Sequence, residues 1–178
     1  MYKGHETPPY TVLRTLGEAE IRDYPAQLVA ETSATGSRAG AASDGFRRLA
    51  GYIFGGNAGA ERLQMTTPVA QSRLTPPDTG TEARWRVRFM MPRGRSLDSL
   101  PRPKERGVDL AETPARRLIV LRFAGQPTDA GLADATERLR AIAAAAGLAL
   151  LGSPDFMFYD SPFTDPTSRR NEVAFVLG

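Results

Sequence analysis

Charged side chains at alternating positions are the pattern in this chain that most suggests chemistry. Arg84, Arg86 and Arg88 fall on one face of a strand and could attract anions, although an ordinary solvated sheet face alternates in the same way. Near the C-terminus, Arg169-Arg170-Asn171-Glu172-Val173 puts Arg170 and Glu172 on one strand face and Arg169, Asn171 and Val173 on the other. Such a pair can orient neighbouring loops or close a salt bridge with Glu20 or Asp23, a structural role common for paired charges in sheets. His5 is the only histidine and stands in a segment that reads as a mobile tail, so neither a Ser-His-Asp triad nor a His-rich metal site is expected. With no cysteine, disulfides, thiolate metal sites and cysteine nucleophiles are excluded. No nucleophile–base pair is visible, and no catalytic or metal-binding residue is assigned.

The chain has 178 residues and a formal net charge of +3, its 20 acidic residues spread throughout. That excess favours anionic ligands slightly. It lacks the clustered basic stripe and motif of a nucleic-acid reader, so no nucleic-acid partner is expected. The first ten residues hold no apolar secretion signal, and the longest apolar run, Ala141 to Leu151, is broken by Gly147 and too short to cross a membrane. A cytoplasmic protein with no membrane partner is expected, and the absence of cysteine fits a reducing compartment.

The elements that must position these residues follow from periodicity. Residues 1–9 read as a flexible tail and 10–178 as a single domain. Strands are expected over Glu18–Tyr24, Gln27–Thr35, Leu63–Ala70, Ala83–Met91, Val108–Thr113, Arg116–Ala124, Asp155–Tyr159 and Arg170–Leu177. Trp85, Val87, Phe89 and Met91 should face a core, opposite the arginines. A helix is expected over Arg38–Phe54, capped by Ser37 and ended by Gly55-Gly56-Asn57. Gly40, Gly45 and Gly51 lie inside it, which fits either close approach to a sheet or ligand, or an interrupted helix. A second helix is expected over Asp129–Ala146, capped by Thr128 and ended by Gly147. Residues 72–82 and 92–106 read as loops. Two strand-pair, helix, strand-pair units result, with helices starting roughly ninety residues apart, a structural duplication. The expected fold class is α+β: one twisted, antiparallel, barrel-like sheet with two packed helices.

Three segments carry a resemblance in their order and spacing: Tyr52-Ile53-Phe54-Gly55-Gly56-Asn57, Met65-Thr66-Thr67-Pro68-Val69 and Arg169-Arg170-Asn171-Glu172-Val173. Further marks are Glu20-Ile21-Arg22-Asp23-Tyr24-Pro25, Phe89-Met90-Met91-Pro92 and Leu100-Pro101-Arg102-Pro103. From about Ala19 to Leu177 the chain resembles the SOUL/heme-binding protein family, and the resemblance implies the same architecture.

It also implies that the chain binds heme or another tetrapyrrole non-covalently, as a carrier or buffer rather than an enzyme. Where an axial His has been proposed in that family, Asp23 stands here, so binding through a shallow apolar groove beside the first helix is the implied mode. The groove residues would be Phe46, Arg47, Arg48, Tyr52 and Phe54 from the helix, with Phe163 and Arg169 from the loop before the last strand. Arginines would meet the propionates. Leu49 and Ile53 read as core, whereas Arg47, Arg48 and Phe163 suit a ligand contact and a solvated surface equally.

The duplicated plan also resembles bacterial effector-binding domains, some of which hydrolyse small reactive compounds with a cleft carboxylate. Glu172, Glu20 and Glu31 are the carboxylates to inspect for a small-molecule hydrolase or ligand-sensing protein of that type.

Overall fold

The computed structural model describes residues 1–76 and 80–178. Residues 77–79, inside the expected loop over 72–82, lie outside the described residues. The chain forms two compact units, Met1–Pro8 with Gln27–Thr113, and Pro9–Ala26 with Pro114–Gly178.

The second unit begins with strands β1 (Thr11–Leu16) and β2 (Ala19–Tyr24). The first unit holds strand β3 (Gln27–Thr35), helix α1 (Arg38–Ile53), and strands β4 (Val69–Arg73), β5 (Arg84–Met90) and β6 (Val108–Thr113). Its antiparallel sheet runs β4-β5-β3-β6 without closing. Ser37 caps α1, its hydroxyl accepting from the Gly40 N–H at 3.1 Å. The helix buries Ala41, Gly45, Leu49, Tyr52 and Ile53. Gly45 lets it approach the sheet, since a Cβ there would lie 2.5 Å from Val87 Cγ2. Leu49 and Ile53 join Val87, Phe89, Met91 and Val108 in the core.

The rest of the second unit is β7 (Arg116–Ala124), helix α2 (Asp129–Ala145), β8 (Leu150–Phe158) and β9 (Arg170–Leu177), giving an antiparallel sheet in the order β1-β2-β7-β9-β8. Thr128 caps α2 by accepting from the Gly131 N–H at 3.1 Å. Leu132, Ala135, Leu139 and Ala143 form its buried stripe, set against β7 and β9. β7 and β9 are buried on both faces, from Leu118 to Leu121 and from Asn171 to Phe175.

The α+β class and the strand-pair, helix, strand-pair repeat are present. The repeats and the compact units do not coincide. β2 opens the first repeat but lies in the second unit, and β6 opens the second repeat but lies in the first. Four local expectations change. Thr11–Leu16 is a strand despite being almost wholly exposed. The strand expected from Leu63 starts at Val69, because residues before the Thr67–Pro68 peptide, which is cis, bond elsewhere: Thr66 Oγ1 donates to the Met90 carbonyl at 2.6 Å. β8 starts at Leu150 rather than Asp155, its register shifting between Leu151 and Asp155. Arg88 and Met90 are buried, so the arginine face of β5 is not uniformly solvated. In the N-terminal segment the Thr67 N–H donates to the Glu6 carbonyl at 2.9 Å and Arg93 pairs with the Glu6 carboxylate at 2.8 Å.

Candidate functional site

In the first unit the candidate residues fall on α1, whose amphipathic spacing sorts them. Tyr52 is 1% exposed and its hydroxyl donates to the Pro101 carbonyl at 2.9 Å, which places it in the core. Phe46 is 43% exposed and Phe54 57%. They stand eight positions apart, about 80° around the helix; Ser43 and Ala50 fall between them, Arg47 about 20° beyond Phe54 and Gly51 about 60° beyond it. A Cβ built on Gly51 meets nothing within 4 Å, so the helix surface is open above that residue. Phe46 is held edge-on against Phe89, centroids 5.4 Å apart. Arg47 and Arg48 share one counter-ion, Asp44, at 2.8 and 2.9 Å. The hydrogen bond from Arg47 holds the Asp44 carboxyl below the usual carboxylate range.

Gly55-Gly56-Asn57 ends this surface. Gly55 has φ +109°, the left-handed conformation that terminates a helix without a Cβ penalty. Asn57 is buried, donating to the Tyr52 and Glu61 carbonyls at 3.0 and 2.8 Å and accepting from the Glu61 N–H at 2.9 Å. The Ala58 N–H and the Lys104 N–H bond to Arg102 and Gly56 carbonyls, so the Pro101-Arg102-Pro103 segment seats on the helix end. These motif residues fix the end of α1 rather than present chemistry.

In the second unit the other signature segment builds a buried polar cluster. Glu172 is 0% exposed. Its Oε2 accepts from Arg22 Nη1 at 3.1 Å and from the Tyr159 hydroxyl at 2.9 Å, and its Oε1 accepts from Arg170 Nη2 at 2.6 Å and Nε at 3.1 Å. Arg22 also donates to Glu20 at 2.7 Å and to the Tyr24 hydroxyl at 3.2 Å. Aromatic faces cover the cations, with Arg22 4.3 Å from the Tyr10 ring centroid and Arg170 4.0 Å from that of Tyr159. Two arginines and two glutamates balance the cluster's charge, with Glu20 at its partly exposed edge. Burial would lower the Arg22 pKa, but Glu172 and Tyr24 outweigh it and the guanidinium stays charged. Burial pushes the Tyr24 hydroxyl up to about 12, and burial with the Glu172 charge raises Tyr159 further. Donors on both oxygens make Glu172 the anchor of the cluster.

The expected Arg170–Glu172 pair is present, and the contact across to β2 is made by Arg22, which bonds Glu172, in place of the expected bridge to Glu20 or Asp23. Arg22 is the functional residue of this cluster that spacing alone does not mark. Its signal was the alternation Glu20, Arg22, Tyr24 in a strand otherwise buried, the charge complement of Arg170 and Glu172. Glu31 lies in the first unit, 3.8 Å from Arg86. Asp23, in the position of the proposed axial His, is held by Arg117 at 2.7 and 2.9 Å. Beside it opens a depression of about 780 Å³ lined by Pro9, Tyr10, Tyr24, Pro25, Ala115 and Leu177 among others. Phe163 and Arg169 belong to this unit too. Phe163 is 97% exposed, and the Arg169 guanidinium donates to the Thr164 and Pro162 carbonyls, shaping the loop that carries Phe163. Among the described residues no group of three or more His, Asp or Glu side chains could hold a metal ion, and no helix is long and apolar enough to cross a membrane.

The fold is similar to several solved structures. The EcmrR C-terminal domain aligns with a TM-score of 0.69 at 15% identity, over 95% of this chain and 98% of that one. A hydrolase from Listeria innocua aligns with a TM-score of 0.62 at 9% identity, over 93% and 94%. SAV2435 bound to tetraphenylphosphonium aligns with a TM-score of 0.53 at 10% identity, over 90% and 94%. These identities establish a shared fold and nothing finer. Among curated proteins no relative matches. The family model described as SOUL heme-binding protein matches residues 5–176, so the chain belongs to the SOUL family.

Proposed function

We propose that the protein binds heme or a related tetrapyrrole reversibly, without transforming it, and that the exposed stripe of α1 is the binding surface. The observation that carries this reading is the pair of exposed phenylalanines on one face of α1, with Ala50 between them and open space above Gly51 beside Phe54. A flat apolar macrocycle needs such a surface, and a side chain at position 51 would stand in its way. Phe46 and Phe54 would contact the ring, with Ala50 and Gly51 beneath it. Arg47 would meet a propionate by exchanging its Asp44 partner. Arg48, less exposed and shared between Asp44 and Glu105, is the weaker candidate. When bound, heme supplies the planar apolar body and two carboxylates. The chain supplies the apolar platform and the cationic edge.

Neither Asp23, engaged by Arg117, nor Tyr52, in the core, is offered as an iron ligand in this reading. Iron-free protoporphyrin IX should then bind within about tenfold of hemin, a difference of ~1.4 kcal/mol. Absorbance titrations of both test it. Hemin binding a thousandfold tighter would mean that a side chain ligates iron. No binding of either by the wild-type chain would remove the function.

A second reading takes the likeness to an effector-binding fold and to a hydrolase into account. It would use Glu172 as a cleft carboxylate for a small-molecule ligand or substrate. The two guanidinium groups on Glu172 weigh against it, since a base with both oxygens occupied has no site for an incoming proton. Activity against small esters or epoxides that disappears in Glu172→Gln, with the fold retained, would restore it.

A further inference from the structure

Most arginines of this chain hold a carboxylate, a carbonyl or an aromatic ring. Around the C-terminal end of α1, Arg62, Arg102, Lys104 and Arg106 do not. All four are exposed, and among the described residues none makes a hydrogen bond, an ion pair or a ring contact. Backbone pairing gathers them in the first unit. Arg62 stands opposite Phe54 in an antiparallel bridge, which puts both side chains on one side. Pro103 stands opposite the buried Asn57, so its neighbours Arg102 and Lys104 point the other way, to solvent. Arg106 follows in a turn that lies against α1, Glu105 being 3.8 Å from Arg48.

Charge is concentrated here. Residues 92–107 hold five cations and two carboxylates, so the chain's whole formal excess of +3 arises in this one loop. Of the acids in these segments, Glu61 is paired with Arg95 and Glu105 with Arg48, which leaves Asp98 alone without a cation among the described residues. The same end exposes apolar side chains, Phe54 beside Arg62 and Leu97 in the turn Leu97–Ser99. That turn is tied to Glu61, the neighbour of Arg62, because Arg95 pairs with Glu61 and donates to the Ser99 carbonyl at 3.3 Å. Free cations around exposed apolar side chains match an anionic bilayer, whose phosphates meet the cations while its acyl boundary takes the apolar groups. A nucleic-acid duplex would engage the cations and leave Phe54 and Leu97 in water.

We propose that this end of α1 docks the protein on anionic lipid bilayers, with Phe54 and Leu97 entering the headgroup layer and Arg62, Arg102, Lys104 and Arg106 on lipid phosphates. The attachment is peripheral, and salt screens it. Docking needs no tetrapyrrole, so it stands or falls apart from the heme reading.

Co-sedimentation of the ligand-free chain with vesicles tests it, using phosphatidylcholine alone and phosphatidylcholine with about one-third phosphatidylglycerol. The wild type should bind the anionic vesicles at least about tenfold more tightly than the neutral ones, and high salt should release it. Lys104→Glu should weaken binding at least about fivefold, whereas Arg14→Glu, an equal change of net charge in the second unit, should leave it within about twofold. Leu97→Ser should weaken it about threefold. Thermal melts check each fold, and Arg102→Glu replaces Lys104→Glu should the latter fail to fold. A wild type that ignores anionic vesicles, equal losses in Lys104→Glu and Arg14→Glu, wild-type binding in Leu97→Ser, or a DNA duplex that binds as tightly as the vesicles overturns the proposal.

Discussion

Arg22 and Glu172 meet across 150 residues of sequence, Nη1 to Oε2 at 3.1 Å, with both side chains almost wholly withdrawn from water. The contact is possible because β2 lies in the same unit as β9. Desolvating two such ions is costly, and the geometry offsets that cost only while every partner is present. Glu172→Ala would leave Arg22 and Arg170 buried beside an apolar gap and should destabilise the fold by about 3–5 kcal/mol. Arg117→Ala breaks an equally well-formed pair with Asp23, but both side chains are about half exposed, so water screens the pair and the loss should be close to undetectable. Urea denaturation of both variants checks the contrast. Equal, small losses would mean that water relaxes the cluster.

The same cluster sets an alkaline limit. Burial raises the Tyr24 pKa from 10.0 in the unfolded chain to about 12 when folded. A group raised on folding contributes stability that is complete below its unfolded pKa and is lost as pH rises through the folded value. Stability should therefore fall between pH 10 and 12. In Tyr24→Phe this decline should be shallower, although Tyr159, also raised, keeps it from vanishing. Urea midpoints at half-unit pH steps measure it, and identical slopes in the two proteins would remove Tyr24 from the linkage.

Local rules made the helices and most strands legible. The caps Ser37 and Thr128 and the terminators Gly55 and Gly147 bound α1 and α2 to within a residue of expectation. β1 was hidden because its six residues are almost all exposed and carry no core-facing alternation. The front of β8 was hidden because Gly152-Ser153-Pro154 reads as a turn, whereas a register shift carries the strand through it. At the sites, the Arg170–Glu172 pair lay within one strand and could be read from spacing two. Arg22 completes that cluster through an exchange of strands between repeats, and no local pattern reports such an exchange. The exposure of Phe46 and the burial of Tyr52 on one helix depend on where the sheet lies, which helical spacing leaves open by a full residue.

The glycines of α1 should separate packing from binding. Gly45→Ala forces a Cβ to 2.5 Å from Val87 and should destabilise by about 1–3 kcal/mol. Gly51→Ala meets nothing and should stabilise by up to ~1 kcal/mol through helix propensity. Gly51→Gln should also fold well, yet weaken hemin binding, because its side chain occupies the platform. Thermal melts alongside hemin titrations decide this. Unchanged hemin affinity in Gly51→Gln would take the ligand off this face.

The cationic edge gives the sharpest test, because Arg47 is already paired. Its guanidinium lies 2.8 Å from Asp44, one turn away, on an exposed helix surface. A propionate must displace that carboxylate, so the helix opposes the very contact proposed for it. An exposed helical ion pair is weak, so Asp44→Asn should free Arg47 and tighten hemin binding by no more than about twofold. Arg47→Glu removes the donor and adds a repulsion, and should weaken hemin binding by roughly tenfold or more. Neither substitution should change affinity for the porphyrin dimethyl ester, whose side chains carry no charge. Opposite shifts for the two variants with hemin, and none with the ester, would place a propionate at Arg47. Parallel losses for both ligands would indicate damage to the helix, and no shift in either would leave Arg47 to its surface pair with Asp44.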